Sequence, residues 1–262
     1  MPLDYPRAYG PGVREVLGDD VLQEVAVDDG VALLRPQIPG RSLLVLHQRP
    51  PDIVATLDEA DRLSWLAGRA GAPGVVAAGR ADEGDEAVVL RLGHDSMSAG
   101  VGLPVGPEMF IEAVAAALRA VHELPVERCP FDASGDRLHQ LAAQRVADGL
   151  VAVAADGAYV GREPADLLAV LADLVSPDTE AVFIHAGLRG DRVWMGPDGT
   201  VAFTGWRRAG VGDHHVDLAA AAALAGELYG PAVVAPMLDA YGLDRVDLAR
   251  LDAAQLLVHL LS

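Results

Sequence analysis

The order of predicted strands and helices constrains the fold of this 262-residue chain more than any other feature. Its first third alternates short apolar runs with turn residues, which is typical of strands. These runs are VLQEVAV (21–27), VALLRP (31–36), SLLVLH (42–47), GVVAAGR (74–80) and EAVVLRL (86–92). One helix, which Thr56 or Asp58 could cap, is inserted after the third run. A strand-rich part followed by a helix-rich part favours an α+β fold over a doubly wound sheet.

A segment rich in glycine, serine and proline, DSMSAGVGLPVGPE (95–108), predicts a boundary, and we expect a hinge near 92–106. We place an N-terminal β-rich lobe at 1–94, with a five-stranded sheet and one helix, and a C-terminal α-rich lobe at 95–262. Helical spacing of apolar residues predicts the helices of the second lobe. They are expected at 108–124, 135–150, 163–175, 216–228, 231–242 and 247–261.

Charge and cysteine content exclude several kinds of partner and location. The chain has 20 basic and 38 acidic residues and a net charge of −18, so neither nucleic acid nor an anionic membrane surface is an expected partner. Cys129 is the only cysteine, which suits a reducing compartment. The N-terminus has no apolar signal core, and no apolar run is long enough to span a bilayer. We expect a soluble, cytoplasmic protein and leave its oligomeric state open.

Five stretches in one order carry a family resemblance. They read DEADRLSWLAG (58–68), HELPVERCPFD (122–132), PADLLAVLADL (164–174), GVGDHHVDLA (210–219) and MLDAYGLD (237–244). In these stretches the sequence resembles the aminoglycoside 3'-phosphotransferases over nearly its whole length. The resemblance implies a bilobal, protein-kinase-like α+β fold. It also implies a family chemistry in which ATP or GTP phosphorylates a small molecule.

The same resemblance implies a fixed set of groups, because phosphoryl transfer depends on positioning and on neutralising phosphate charge. The family has a lysine on the third strand that pairs with a helix glutamate. Here His47 stands at the lysine and Glu59 at the glutamate. A neutral histidine carries no reliable charge at pH 7, so phosphate binding should be weaker. The match also places Asp29 where the family has a serine facing the phosphates, and a carboxylate there opposes binding.

The segment FIHAGLRGDRVWMGPDGTVAFTGWRR (183–208) departs most from the family pattern. It keeps His185, but Gly187 stands at the catalytic aspartate, Arg192 at the first magnesium ligand and Gly205 at the second. An arginine cannot ligate a cation. We therefore expect weak or absent binding of ATP and magnesium, no other cofactor, no metal and no assignable catalytic residue. Whether the chain is an enzyme stays open.

The cleft expected between the lobes is the candidate ligand site. Its candidate residues are His47, Glu59, His185, Asp191, Arg192, Trp206, Arg207 and Arg208. With Arg189, the arginines could hold an anion or a nucleotide without magnesium, or they could pair with local acids such as Asp191 and Asp198.

Two further predictions concern the stretch DHHVD (213–217). Asp217 is expected to support the loop near His185 by bonding its backbone. His214 and His215 are not predicted to bind a metal, because adjacent histidines at a helix start should point apart.

Three functions are compatible with this pattern. The leading hypothesis is a catalytically inactive relative, a pseudokinase, that binds a small molecule or a protein partner in antibiotic or secondary metabolism or in resistance. The second is an enzyme of another class that uses His185, Asp191 and the arginines in the same cleft. The third is an unconventional small-molecule phosphotransferase. The first is favoured because charged groups are lost where transfer needs them, while the scaffold motifs persist. The C-terminal LLVHLLS also lacks the acids with which the family binds antibiotic amino groups.

Overall fold

The structure is a computed structural model, and it describes residues 11–28, 30–37, 42–48, 55–67, 69–80, 84–92, 96–99, 102–103, 105–154, 159–174 and 181–262. Asp29 lies outside these residues. The chain divides into two units, one made of Met1–Pro104 with Gly190–Arg208 and the other of Val105–Arg189 with Ala209–Ser262. The division at residue 94 stays a prediction. Residues 190–208 fall in the first unit because a strand within them pairs with Met97–Ser98.

An antiparallel five-stranded sheet, in the order β1-β2-β3-β5-β4, forms the first unit's main layer. Its strands are β1 (Leu22–Asp28), β2 (Val31–Pro36), β3 (Leu43–Gln48), β4 (Gly74–Arg80) and β5 (Glu86–Arg91). Each lies within one residue of its predicted bounds. Both β3 and the central residues of β5 are buried on both faces, as expected for continuous apolar runs in the middle of a sheet.

Two helices pack on this sheet. Helix α1 (Pro11–Leu17), which the sequence did not predict, buries Val13 and Leu17 on the face that carries Val45 and Val89. Helix α2 (Leu57–Leu66) buries Leu63 and Leu66.

The start of α2 differs from the prediction that Thr56 or Asp58 would cap it. Thr56 makes no side-chain cap. Instead its N–H and its hydroxyl donate to Oε1 of Gln48, at 2.5 and 2.7 Å. The Leu57 N–H donates to Oε2 of Glu86 at 3.0 Å. Side chains of the sheet therefore accept the first N–H groups of this helix, and they fix where α2 begins.

Short strands complete the first unit. β6 (Met97–Ser98), β8 (Val193–Met195) and β9 (Val201–Phe203) form a three-stranded sheet in the order β6-β8-β9. A 3₁₀ turn at Gly190–Arg192 precedes β8, and another at Trp206–Arg208 follows β9. These elements bring Asp191, Arg192 and Gly205 into the first unit.

The second unit is mainly helical. It contains a two-stranded pair, β7 (Val182–Ile184) with β10 (Gly210–Gly212). Its six described helices are α3 (Pro107–His122), α4 (Gly135–Ala147), α5 (Pro164–Leu174), α6 (His215–Tyr229), α7 (Val234–Tyr241) and α8 (Leu248–Leu261). All correspond to predicted helices, although the one predicted at 231–242 begins as a 3₁₀ turn at Pro231–Val233. None of the helices in the described residues is both long and apolar enough to cross a membrane.

Strand β10 lies directly against the segment that carries Asp132. Val211 donates to the Phe131 carbonyl at 2.9 Å, and Ala133 donates to the Val211 carbonyl at 3.0 Å. A Cβ at Gly212 would lie 2.2 Å from the Ala133 oxygen, which leaves no room for any side chain.

We therefore expect Gly212→Ala to lower the free energy of unfolding by about 3 kcal/mol, because the new methyl group meets rigid backbone. Urea denaturation measures the loss. The control is Gly12→Ala in α1, where no atom lies within 4 Å of the new Cβ and where alanine is the better helix former. Equal stabilities of the two variants would contradict the close approach.

Candidate functional site

The candidate residues divide between the two units, and each group is described within its own unit. The first unit holds His47, Glu59, Asp191, Arg192, Gly205, Trp206, Arg207 and Arg208, and the second holds His185, Gly187, Arg189 and Asp217.

Glu59 is fixed to the loop that follows β9. It is 1% exposed on α2, and its Oε1 accepts a hydrogen bond from the Gly205 N–H at 2.7 Å. The Trp206 N–H also bonds this carboxyl group. Burial raises the pKa of Glu59, and the Arg207 charge and the two N–H groups offset that rise only in part. This side chain therefore accepts hydrogen bonds from the loop, at the position where the family resemblance places the partner of a lysine.

Arg192 fills the space beside Gly205. Its side chain is buried, and a Cβ at position 205 would lie 2.5 Å from Arg192 Cδ and 2.8 Å from Nε. Gly205 also has a φ of +82°, in the left-handed region that favours glycine. The residues at the family's two metal positions are thus in contact, and the arginine excludes a side chain at 205.

The cavity around these residues is small, at about 30 Å³. That volume holds a water-sized group. Burial first, and then the charges of Arg208 and Arg207, lower the pKa of Arg192 well below its ordinary value. The lining residues are Val31, Leu33, Leu46, Glu59, Asp191, Arg192, Thr204, Gly205 and Arg207.

His47 is not brought together with this group. Leu46 and its strand partner Leu33 line the cavity, and neighbouring strand residues point to opposite faces. His47 therefore points to the other face, where its Nε2 lies 3.6 Å from Oδ2 of Asp85.

Trp206 belongs to the core of the first unit. Its side chain is fully buried, its ring packs edge-on against Phe203 at 6.2 Å, and its indole N–H donates to the Phe203 carbonyl at 2.5 Å. Both hydrogen-bonding and apolar parts of this tryptophan are therefore used within the unit. Arg207 is also buried, whereas Arg208 is half-buried.

In the second unit, Asp217 holds the loop that begins at His185. Its Oδ2 accepts the His185 N–H at 2.7 Å, and its Oδ1 accepts the Ala186 N–H at 2.8 Å. Ala186 has a φ of +54°, which is unfavourable for a residue with a Cβ. Burial raises the pKa of Asp217, but the hydrogen bonds and charges of His122 and His185 outweigh it, and the net pKa is lowered. His185 itself is fully buried, and Gly187 and Arg189 follow it with partial exposure.

His122, the partner of Asp217, was not predicted from the sequence. Its Nε2 lies 3.1 Å from Oδ2 of Asp217, and its Nδ1 lies 2.7 Å from the Tyr241 hydroxyl. Since the carboxylate accepts, Nε2 carries a proton and donates to Asp217, while Nδ1 and the tyrosine hydroxyl share the other hydrogen bond. Burial raises the pKa of Tyr241 to about 12, which keeps the hydroxyl protonated. The one sequence signal for His122 was its place at the start of HELPVERCPFD (122–132), a stretch that carries the family resemblance.

Asp213, His214 and His215 place three possible metal-ligand atoms within 4.8 Å of one another. The two histidine rings lie 4.2 Å apart, so the expectation that they point apart is wrong. Hydrogen bonds nevertheless occupy both ring nitrogens of His215. His215 Nδ1 donates to Asp213 at 2.7 Å while its Nε2 accepts the Asp247 N–H at 2.9 Å, which leaves no lone pair for a metal. The cluster ties the start of α8 to α6.

Comparison with known proteins shows which proteins this chain is similar to. The model of the phosphotransferase enzyme family matches residues 36–254. An aminoglycoside 3'-phosphotransferase of Streptomyces fradiae is 35% identical over 212 residues, which cover 76% of this chain and 77% of the relative. An aminoglycoside 3'-phosphotransferase of Streptomyces ribosidificus is 33% identical over 219 residues, covering 76% and 78%.

Solved structures show the same similarity. The aminoglycoside phosphotransferase APH(3'')-Id from Streptomyces rimosus matches with a TM-score of 0.79 and 25% identity, over 95% of this chain and 96% of that one. The type VIII aminoglycoside-3'-phosphotransferase matches with a TM-score of 0.75 and 28% identity, over 95% and 97%. The kinase-like α+β fold expected from the sequence is confirmed.

We expect Gly205→Ala to lower the free energy of unfolding by about 3 kcal/mol, because the new Cβ meets Arg192 and the backbone is left-handed. Gly199→Ala is the matched control, since Gly199 has a φ of +81° with no atom within 4 Å of the new Cβ, and should cost about 1 kcal/mol. Combining Gly205→Ala with Arg192→Ala should cost less than the sum of the single losses by about 1 kcal/mol or more. Urea denaturation tests the cycle, and strict additivity would show that the two residues do not clash.

Asp217→Asn should destabilise the protein by about 2–4 kcal/mol at pH 7, because the amide cannot accept from His185, Ala186 and His122 together. The lowered pKa gives the sign of the pH dependence. The carboxylate's contribution is present above the unfolded pKa of about 4 and is lost as pH falls through the folded pKa. Urea denaturation at pH 7 and at decreasing pH should therefore show the difference shrinking below about pH 4. Exposed Asp173→Asn is the control, and a difference for Asp217→Asn that is constant with pH would contradict the assignment.

Proposed function

The chain belongs to the phosphotransferase enzyme family that includes the aminoglycoside phosphotransferases, and we propose that it is a member that binds a small molecule without catalysing magnesium-dependent phosphoryl transfer. The contact between Arg192 and Gly205 carries the proposal. It supports a loss of metal binding that is structural as well as chemical, because Cδ and Nε of Arg192 lie where the first atom of a ligand side chain at 205 would stand.

The residues of the cavity do not fit a magnesium ion. Magnesium requires near-octahedral oxygen ligands at about 2.0–2.1 Å. Of the two carboxylates that line the cavity, Glu59 is already held by the Gly205 and Trp206 N–H groups. Arg192 and Arg207 line the same cavity and would repel the ion. No step is therefore assigned to a bound metal.

The loop of the second unit supports the same proposal. Asp217 fixes the backbone at His185 and Ala186, so the loop keeps a defined shape. Gly187, which the resemblance places at the catalytic base, offers no side chain that could take a proton from an acceptor hydroxyl. The loop keeps its backbone support but lacks the side chain of a catalytic base. This is expected of a protein that still binds a ligand but no longer transfers a phosphoryl group.

The relatives suggest the kind of ligand. The Streptomyces rimosus enzyme was solved in complex with ADP and streptomycin. For this chain we propose only the general class of ligand, a small organic molecule, and a role in antibiotic metabolism or in resistance. A protein partner is the other occupant that the sequence left open.

The experiment mixes the purified full chain with kanamycin, magnesium and ATP or GTP, and follows phosphorylated kanamycin by mass spectrometry. We expect no product above the protein-free background. Thermal denaturation is measured in parallel, because a ligand at about 100 times its Kd should add about 2.7 kcal/mol to the free energy of unfolding. Magnesium–ATP should leave the Tm unchanged.

The variant Asp191→Asn, which removes the cavity's other carboxylate, serves as the control. A phosphorylated product that Asp191→Asn abolishes would contradict the proposal and favour an unconventional phosphotransferase. So would a Tm that rises with ATP only in the presence of magnesium. A background product that is the same with both proteins leaves the proposal standing.

A further inference from the structure

A groove of about 930 Å³ lies along helices α3 and α7, wholly within the second unit. It contains none of the candidate residues discussed above. Its lining residues are Glu108, Ile111, Glu112, Arg119, Ala235, Pro236, Leu238, Asp239, Ala240, Leu243 and Leu248.

The groove has a buried apolar floor and an exposed apolar end. Ile111 and Leu238 are 6% and 8% exposed and form part of the floor. Leu243 and Leu248 are 60% and 70% exposed. Single exposed leucines are ordinary, but here two of them line one groove together with buried apolar residues, and apolar surface gathered in this way is of the kind that binds a partner.

Charge indicates which partner the groove suits. Glu108 and Glu112 are one turn apart on α3, and Asp239 lies on α7. The one arginine in the lining, Arg119, donates to the carbonyls of Ala240 and Tyr241 and so caps the end of α7. Three carboxylates and one guanidinium give the lining a net charge of −2.

We propose that this groove binds a basic amphipathic helix of a protein partner. Glu108 and Arg119 lie eleven positions apart on α3, a rise of about 16 Å, which matches about three turns of a bound helix. Such helices place apolar residues at i, i+3, i+4 and i+7 in a groove and can present lysines to its rim. The proposal is independent of the proposed function.

Two other occupants fit less well. A second copy of this chain would bring another net charge of −18 to an acidic rim. A small cation would satisfy the carboxylates but leave Leu243 and Leu248 in water, whereas a helix covers both. Of these occupants, only a partner that is both apolar and basic covers the leucines and also pairs with the carboxylates.

The test uses a synthetic 15-residue helical peptide with leucines on one face and lysines on the other, and the full chain. Fluorescence anisotropy in about 150 mM salt limits long-range attraction between charges. We expect saturable 1:1 binding. The double variant Leu248→Gln/Glu112→Lys should weaken it at least tenfold, and both residues are exposed, so folding should not change.

The matched control is Leu150→Gln/Glu227→Lys, which makes the same changes at exposed positions outside the groove and should leave the Kd within twofold of wild type. A peptide with glutamates in place of the lysines should bind at least tenfold more weakly. The proposal is overturned by no binding at up to about 1 mM peptide, by equal losses in the two double variants, or by equal binding of the two peptides. Full displacement by spermine at equal total charge would indicate a small-cation site and would also overturn it.

Discussion

The hydrogen bonds that Glu59 accepts from the loop after β9 determine the character of the first unit's cavity. They hold Gly205 in a left-handed conformation. In that conformation the Cα of Gly205 packs against the side chain of Arg192. The arginine then occupies the space and adds its charge to that of Arg207. A carboxylate at the position where the family resemblance places the partner of a lysine thus positions a backbone turn here.

Much of the fold could be predicted because its main elements are apolar runs of strand or helix length, bounded by glycine, proline or aspartate. Helix α3 has its buried residues at helical spacing, whereas strand β2 and helix α6 are buried along consecutive residues and were predicted from the length of their apolar runs. Helix α1 was missed because seven residues show barely two helical turns. Strand β8 was missed because it pairs with Met97–Ser98, almost a hundred residues earlier, and short strands depend on such distant partners.

The candidate site could be predicted only as a set of residue types. The family resemblance pointed to Glu59, Arg192 and Gly205, but no sequence pattern indicates that two of them touch. His47 shows the limit more sharply. The family resemblance gave its position, yet strand alternation places it on the face opposite Leu46 and the cavity. Trp206 was expected at a ligand surface, and its packing against Phe203 buries it fully.

The contact between Arg192 and Gly205 also bears on how such a chain can evolve. An ancestor with ligand side chains at both positions could lose the one at 205 first, after which an arginine at 192 could fill the gap. The reverse route is obstructed: an acid at 205 collides with the arginine, and removing the arginine first leaves a hole and no ligand. We therefore expect that neither single substitution restores a ligand pair at these two positions. Reversal requires both changes together, because the side chain at 192 and the missing side chain at 205 compete for one space.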